Sequence, residues 1–160
     1  MGQPILTVGG GSIPTMAQGA QTPWNNEREA EEYAADPAEF MLSRCQMWMD
    51  NVTWFGNYVI AATYYLPAFE ILPGGQKFFR SEKSQDEALW QGKVGLVLGK
   101  GPLAFVDDDR NKFKGQNVKN GEWILWDIHD ARQMTVNRVH CRWIPDVRIL
   151  GKVTDPKLVY

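Results

Sequence analysis

The pattern of apolar and polar residues divides the chain into an N-terminal part that favours helices and a longer C-terminal part that favours strands. The two strongest apolar runs, residues 94–98 and 123–126, are short, rich in β-branched and aromatic side chains, and have glycine nearby. Runs of this kind are typical of buried strands. Residues 58–65 and 136–153 provide the β-prone partners that such strands need. We therefore predict a small all-β barrel or sandwich.

The core of this β domain is predicted from the inward positions of the apolar runs. It contains Val59, Val94, Leu96, Leu98, Ile124, Trp126 and Ile149 or their immediate neighbours.

Two short helices are predicted before the first strand. Asn26 begins the first, residues 27–35, and a glutamate three residues later completes a capping box. Asp36, followed by proline, begins a second helix that runs to about Met49. We expect the first helix to be polar on all sides. The second carries an apolar stripe, and packing on the β domain is favoured over docking to another subunit. The stripe consists of Phe40, Met41, Cys45, Trp48 and Met49.

These patterns predict three regions. Residues 1–25 form an extended N-terminal arm, residues 26–54 a helical segment, and residues 55–160 a β-barrel domain that is interrupted by a long loop at 66–90. Loops of this length inside a small domain are usually functional or carry a hairpin of their own.

The arm and the loop contain the candidate partner-binding residues. The arm has glycines, prolines and few apolar groups, so it gains order only through contacts with its own domain or a neighbouring chain; a disordered tail is the alternative. Ile5, Leu6 and Val8 have the spacing of a strand that could add to another sheet's edge. The predicted partner-binding residues are Ile5, Leu6, Val8, Ile13 and Met16 in the arm and Phe78 and Phe79 in the loop.

Composition narrows the class of partner. The net charge of −2, with 17 basic residues scattered among 19 acidic ones, argues against nucleic-acid binding. No apolar stretch approaches the roughly 20 residues of a membrane span, and no signal peptide is evident. We therefore expect a soluble protein that is made in a cytoplasm and binds other proteins. Cys45 and Cys141 are predicted to be free buried thiols rather than a disulfide.

Catalytic chemistry has weak candidates. His129, His140 and the acidic run 107–109 lack the spaced additional ligands that a metal site requires. The sequence has no phosphate-binding glycine loop, nucleophile elbow or zinc-binding helix motif. We expect no enzyme activity, cofactor or metal.

Four segments in order carry a resemblance to a known family. A strand at 58–65 leads into the long loop with its glycine pair, and residues 91–101, 118–126 and 147–153 follow. This order resembles the GroES-type co-chaperonin domain, over about residues 55–153. Residues 90–98 with 101–105 are similar to GroES-like proteins of tailed bacteriophages. The resemblance implies a small β-barrel that assembles into oligomers through protein contacts.

The loop departs from the family pattern. Co-chaperonins carry an aliphatic tripeptide just after the glycine pair, and this tripeptide enters an apolar groove of the chaperonin ring. Here Gly74-Gly75 is followed by Gln76-Lys77, and burying these polar groups without partners costs a few kcal/mol. Glu122 stands where the family usually has Asp, and residues before 55 have no counterpart in the ordinary co-chaperonin.

Two functions follow from these observations. The first is a structural protein of a tailed-phage virion, a capsid cement, decoration or head-completion module. It would bind capsid or neck proteins and copies of itself, after assembly in the host cytoplasm. The second is a phage-encoded co-chaperonin that binds a host chaperonin ring during capsid folding. The arm favours the first, and we adopt it as the expectation.

Overall fold

The computed structural model describes residues 22–81, 92–107 and 112–159. Within these ranges the chain forms two α-helices and eight strands. The helices are α1 (Glu27–Ala35) and α2 (Pro37–Asn51). The strands are β1 (Tyr58–Thr63), β2 (Phe69–Ile71), β3 (Lys77–Phe79), β4 (Val94–Lys100), β5 (Trp123–Trp126), β6 (Arg132–Val136), β7 (Val139–Pro145) and β8 (Ile149–Val153).

Six strands form one antiparallel sheet in the order β6-β7-β1-β4-β5-β8, and β2 pairs with β3 in a separate hairpin. In the middle of the sheet, Ala62 lies opposite Leu96 of β4 on one side and Cys141 of β7 on the other. The prediction of a small, mainly β fold with two short helices is confirmed.

The central strands β1 and β4 are buried on both faces, which explains why they are continuous apolar runs rather than alternating ones. Ile60 and Leu96 face the helices in what we term the helix-side core, which also includes Tyr33, Met41, Cys45, Phe69 and Cys141. Val59 and Val97 face the opposite way, into the far-side core, which also includes Ala104, Val118, Ile124, Trp126 and Ile144. Six of the seven predicted core residues are buried, and Ile149 is half-buried against the far-side core.

A close contact between Trp126 and Gly95 joins β5 to β4. A Cβ atom at position 95 would lie 2.6 Å from the indole ring and 2.5 Å from the backbone oxygen of Ala62. Both distances are below van der Waals contact. The glycine in β4 is therefore required, because its missing side chain leaves the space that the indole fills.

Both predicted helix caps are present. The Asn26 side chain accepts a hydrogen bond from the Glu29 amide at 2.9 Å, and the Asp36 side chain accepts one from the Glu39 amide at 3.0 Å. The helix that follows Asp36 ends at Asn51, about two residues later than predicted. Its apolar stripe packs on the sheet, as the favoured interpretation held: Phe40, Met41 and Cys45 are buried, and Trp48 and Met49 are partly buried against them.

The prediction that α1 is polar on all sides was wrong. Tyr33 is fully buried, and its hydroxyl donates to the Tyr65 carbonyl at 2.6 Å and accepts from the Tyr65 amide at 2.8 Å. Trp24 packs against the same tyrosine with ring centroids 5.0 Å apart. One tyrosine thus attaches an otherwise acidic helix to the end of β1, because both its ring and its hydroxyl have partners.

Three tryptophans connect α2, the segment after it, and β7. Trp54 lies between the other two, with ring centroids 5.2 Å from Trp48 of α2 and 6.0 Å from Trp143 of β7. All three are partly buried at the edge of the helix-side core. The helices and the sheet therefore share a single packed unit.

Candidate protein-binding surface on the β2–β3 hairpin

The hairpin formed by β2 and β3 lies within the segment predicted as a long loop. Its strands are three residues each, and the register pairs Phe69 with Phe79 and Glu70 with Phe78. The turn contains Gly74 and Gly75, both at positive φ, which glycine adopts without a side-chain clash. The expectation that the long loop carries a hairpin is therefore met in its described part, residues 66–81.

Phe69 anchors the hairpin in the helix-side core. It is almost fully buried, and the Phe79 ring meets it edge-on with centroids 5.5 Å apart. The Arg80 amide extends the pairing by donating to the Ala68 carbonyl at 2.8 Å. Apolar packing of Phe69 thus fixes the base of the hairpin to the core.

Ion pairs add to the contacts of the hairpin. The Lys77 ammonium lies 3.2 Å from Glu27 Oε1 and also contacts Glu31, so one cation joins β3 to two carboxylates of α1. Hydrogen bonds to Glu31 and Glu27 raise the pKa of Lys77 above its ordinary value. Arg80 pairs with Glu70 on the other face of the hairpin. These pairs are accessible to water, so they hold the hairpin in place weakly.

The predicted binding residues Phe78 and Phe79 are exposed, by 56% and 63%. They point to opposite faces of the hairpin, because neighbouring residues of a strand alternate. Phe79 shares the face of Phe69 and Ile71, and Phe78 shares the face of Glu70. Ile71 is 67% exposed and Leu72 is 40% exposed. The hairpin therefore presents apolar groups on both faces, and a partner that contacts both phenylalanines must enclose it.

A cleft of about 520 Å³ lies between the hairpin, the end of β1 and the C-terminal segment. Its walls include apolar groups of Leu66 and Ile71 and charged groups of Glu70, Arg80 and Lys157. Mixed walls of this kind suit a side chain from a protein partner better than a wholly apolar ligand.

The opposite end of the sheet has a second exposed apolar surface, which the sequence did not predict. Its large exposed side chains are Phe55, Leu103, Val106 and Val147. The loops that carry them converge on Asp146, which is almost fully buried. The Asp146 carboxylate accepts hydrogen bonds from Asn57 Nδ2 at 3.0 Å, the Phe105 amide at 3.1 Å and the Val147 amide at 2.7 Å. Asp146 lies in an ordinary loop sequence, so the sequence did not indicate that its carboxylate would join these loops.

The candidate catalytic and metal-binding groups have other roles or lie apart. Asp107 accepts hydrogen bonds from the Phe113 and Gly115 amides, which lower its carboxyl pKa, the Gly115 bond most. His129 is exposed on a short 3₁₀ turn, and His140 contacts Thr63 Oγ1 at 3.2 Å. In the described part of the chain, no three His, Cys, Asp or Glu side chains are grouped to hold a metal ion.

The predicted arm residues Ile5, Leu6, Val8, Ile13 and Met16 lie outside the described residues, as do Asp108 and Asp109. Across the described ranges, no helix has the length and apolar character needed to cross a membrane.

The fold and its exposed surfaces define a mainly β protein with apolar groups presented on a hairpin. Comparison with protein-family models gave no match. A search of curated proteins likewise found no significant similarity.

Proposed function

We propose that the chain is a structural protein of a tailed-bacteriophage virion, built on a GroES-like β-barrel and acting through protein contacts as a capsid cement, decoration or head-completion module. Its partners are capsid or neck proteins and copies of itself. The proposal rests on the sequence resemblance over residues 55–153. The antiparallel sheet, in which β1, β4, β5 and β8 come from the four resembling segments, is consistent with it.

One observation carries the binding role: apolar side chains are held outward on both faces of a preformed hairpin. Phe78, Phe79 and Ile71 are each more than half exposed, while Phe69 fixes the hairpin to the core. A preformed element loses less conformational entropy on binding than a flexible loop does. Aromatic groups of this kind are frequent binding hot spots. The hairpin is therefore the part of the described chain best suited to dock on a partner.

The test compares two double variants that each remove two exposed apolar side chains. Phe78→Ser/Phe79→Ser removes the hairpin aromatics, and Met47→Ser/Leu158→Ser removes exposed groups of α2 and the C-terminal turn. We expect the hairpin variant to bind purified phage particles at least about ten-fold more weakly, and the control to bind normally. Both should keep the wild-type fold by circular dichroism. Equal binding by the hairpin variant would remove the hairpin from the proposal.

A second candidate, a phage co-chaperonin, has one observation in its favour. Ile71 and Leu72 are exposed aliphatic residues next to the glycine pair, although on its N-terminal side. The residue after Gln76 is Lys77, which is engaged with α1 rather than free to enter an apolar groove. The co-chaperonin would replace the virion protein as the proposed function if Phe78→Ser/Phe79→Ser abolished chaperonin-dependent refolding and left particle binding unchanged. The same conclusion would follow if mass spectrometry of purified particles did not detect the chain.

The arm is tested separately. A truncation that removes residues 1–21 keeps Trp24, whose ring packs on Tyr33 and Tyr65. We expect the truncated chain to fold and melt like the full chain but to bind particles more weakly, because the arm's aliphatic side chains gain order only through contacts. Equal binding by both chains would remove the arm from the proposed interface.

A further inference from the structure

The charges of the chain are divided between its two parts. Residues 26–54, which include both helices, carry seven acidic and two basic side chains, a net charge of −5. The described residues 92–107 and 112–159 carry six acidic and eleven basic side chains, a net charge of +5. The small net charge of the whole chain therefore conceals an acidic region and a basic region of equal and opposite charge.

The basic region contains an open groove of about 520 Å³, which we term the β8 groove, between β8 and residues 115–119. Apolar side chains and two lysines line it: Phe105, Val118, Ile149, Leu150, Lys119 and Lys152. Leu150 is 71% exposed, and a Cβ atom at Gly151 would meet no atom within 4 Å. The groove thus offers apolar surface and positive charge to a partner.

The loop that forms one wall of the β8 groove is held in place. The Asp107 carboxylate accepts a hydrogen bond from the Gly115 amide at 2.8 Å, and the Lys100 ammonium donates to the Val118 carbonyl at 2.9 Å. A preformed wall loses little conformational entropy when a partner binds.

The other wall is the last strand of the six-stranded sheet. Among the described strands, β8 pairs with β5 alone. Proteins commonly cover such a strand edge with a helix or a loop. A helix from a partner would give β8 this cover.

The acidic region has a surface of complementary charge, which we term the acidic surface. Glu32, Asp36 and Glu39 are exposed there and line a cleft of about 430 Å³ between α1 and α2. Arg44 also lines this cleft, but its guanidinium is held 2.6 Å from the Glu29 carboxylate. Negative charge is therefore in excess on the acidic surface.

The acidic surface and the β8 groove belong to opposite faces of the sheet. The helices pack on the helix-side core, whereas Phe105, Val118 and Ile149 of the groove pack in or against the far-side core. The two surfaces of one molecule are thus kept apart by its sheet. Contact between them requires two copies, and each added copy leaves one surface of each kind free.

We propose that copies of the chain associate head to tail, with the acidic surface of one copy seated on the β8 groove of the next. This inference rests on the proposed function, which includes copies of the chain among the partners, and it names the two surfaces that meet. Complementary charge brings the surfaces together and sets their orientation, while Leu150 and the groove walls provide apolar contact.

The test uses the purified full chain and two double variants with reversed charges. Lys114→Glu/Lys119→Glu changes the groove side, and Glu32→Lys/Glu39→Lys changes the helix side, while Asp36 is kept because it caps α2. In sedimentation at low salt we expect wild type to form species larger than a dimer, which dissociate in about 0.5 M salt. Each variant alone should associate at least about ten-fold more weakly. An equal mixture of the two variants should associate again, because opposite charges then meet at every contact.

Lys93→Glu/Lys157→Glu is the matched control, because it changes the net charge as much as the groove variant does, at exposed lysines outside both surfaces. It should associate like wild type. Lys119→Gln and Glu39→Gln replace any reversed variant whose circular dichroism shows that it has not folded, and each should also weaken association.

Four results would overturn the inference: a wild-type chain that stays monomeric, a dimer that does not grow with concentration, equal weakening by the control, or a mixture of reversed variants that stays dissociated. Particle binding is measured separately. If Phe78→Ser/Phe79→Ser weakens particle binding while wild type stays monomeric, the proposed function stands and this inference alone fails.

Discussion

The two ends of β1 both expose apolar side chains, but they hold them in different ways. At the end that begins with Tyr58, which we term the fixed end, the loops converge on the buried carboxylate of Asp146 and its three hydrogen bonds. At the other end, the hairpin that carries Phe78 and Phe79 is held by one buried aromatic residue and by water-accessible ion pairs. Buried hydrogen bonds to a charge are costly to break, whereas exposed ion pairs contribute little.

We therefore expect one end of β1 to contribute mainly to stability and the other mainly to binding. Changes at the fixed end should lower the free energy of unfolding, while changes in the hairpin should alter what the protein binds and leave the fold intact. A binding element that contributes little to folding can change its side chains freely, which is the property expected of a docking surface.

The largest effect is expected in the far-side core. Trp126→Ala removes a ring that is almost fully buried against Gly95, so we expect the free energy of unfolding to fall by about 3–5 kcal/mol. Urea denaturation measures the change. Leu158→Ala, at an exposed site, should change it by less than about 0.5 kcal/mol. A Trp126→Ala variant that melts within a degree or two of wild type would show that the core is wrongly assigned.

The next effect tests the fixed end itself. Asp146→Ala leaves the Asn57 side chain and two backbone amides without their acceptor, and we expect a loss of about 3 kcal/mol. Asp50→Ala, at an exposed aspartate of α2, is the matched control and should have a small effect. If both variants have the same stability, the carboxylate does not hold the loops together.

Acidification should lower the free energy of unfolding through His140 of β7. His140 lies opposite Thr63 at the end of β1, and burial, assisted by the Arg142 charge, lowers its pKa to about 4. Between pH 6.5 and 4 the unfolded chain binds a proton that the folded chain does not, so stability falls as pH decreases through this window. The expected loss is about 3 kcal/mol.

The contribution of His140 is separated from that of the carboxylates by comparison with His140→Gln. Urea denaturation of both chains at pH 7 and pH 4 gives the difference. We expect the variant to lose clearly less stability over this range. Parallel losses in the two chains would mean that His140 titrates normally.

The smallest effect is expected at the tip of the hairpin. Lys77→Met removes the cation that joins β3 to Glu27 and Glu31. Protection of the Leu72 and Arg80 amides against hydrogen exchange should fall several-fold, while the melting temperature changes by about a degree or less. Lys119→Met, at an exposed lysine in the turn before β5, is the control. High salt should reproduce the effect in wild type, because it screens exposed charges; unchanged protection would mean that packing alone holds the hairpin.

Much of the fold could be predicted because its signals are local. The apolar runs of β1, β4 and β5 and the caps at Asn26 and Asp36 depend on neighbouring residues alone. The burial of Tyr33 could not be predicted, because it depends on Tyr65, which is distant in the sequence. A single aromatic residue in an acidic helix gives no periodic signal.

The candidate site was predicted in part. The exposed pair Phe78 and Phe79 could be identified as unusual in a loop, but their placement on opposite faces required the strand register. Asp146 was missed for a related reason, because its environment is assembled from loops that only the tertiary structure brings together. The prediction that Cys45 and Cys141 are free buried thiols is confirmed.

The three adjoining indoles of Trp48, Trp54 and Trp143 have a spectroscopic consequence. Ring centroids 5.2 Å and 6.0 Å apart place their electronic transitions close enough to couple, which produces paired bands of opposite sign in circular dichroism. Because one ring belongs to α2 and another to β7, the signal exists only while helix and sheet remain in contact. The chain thus carries an intrinsic optical reporter of helix docking, readable without a label.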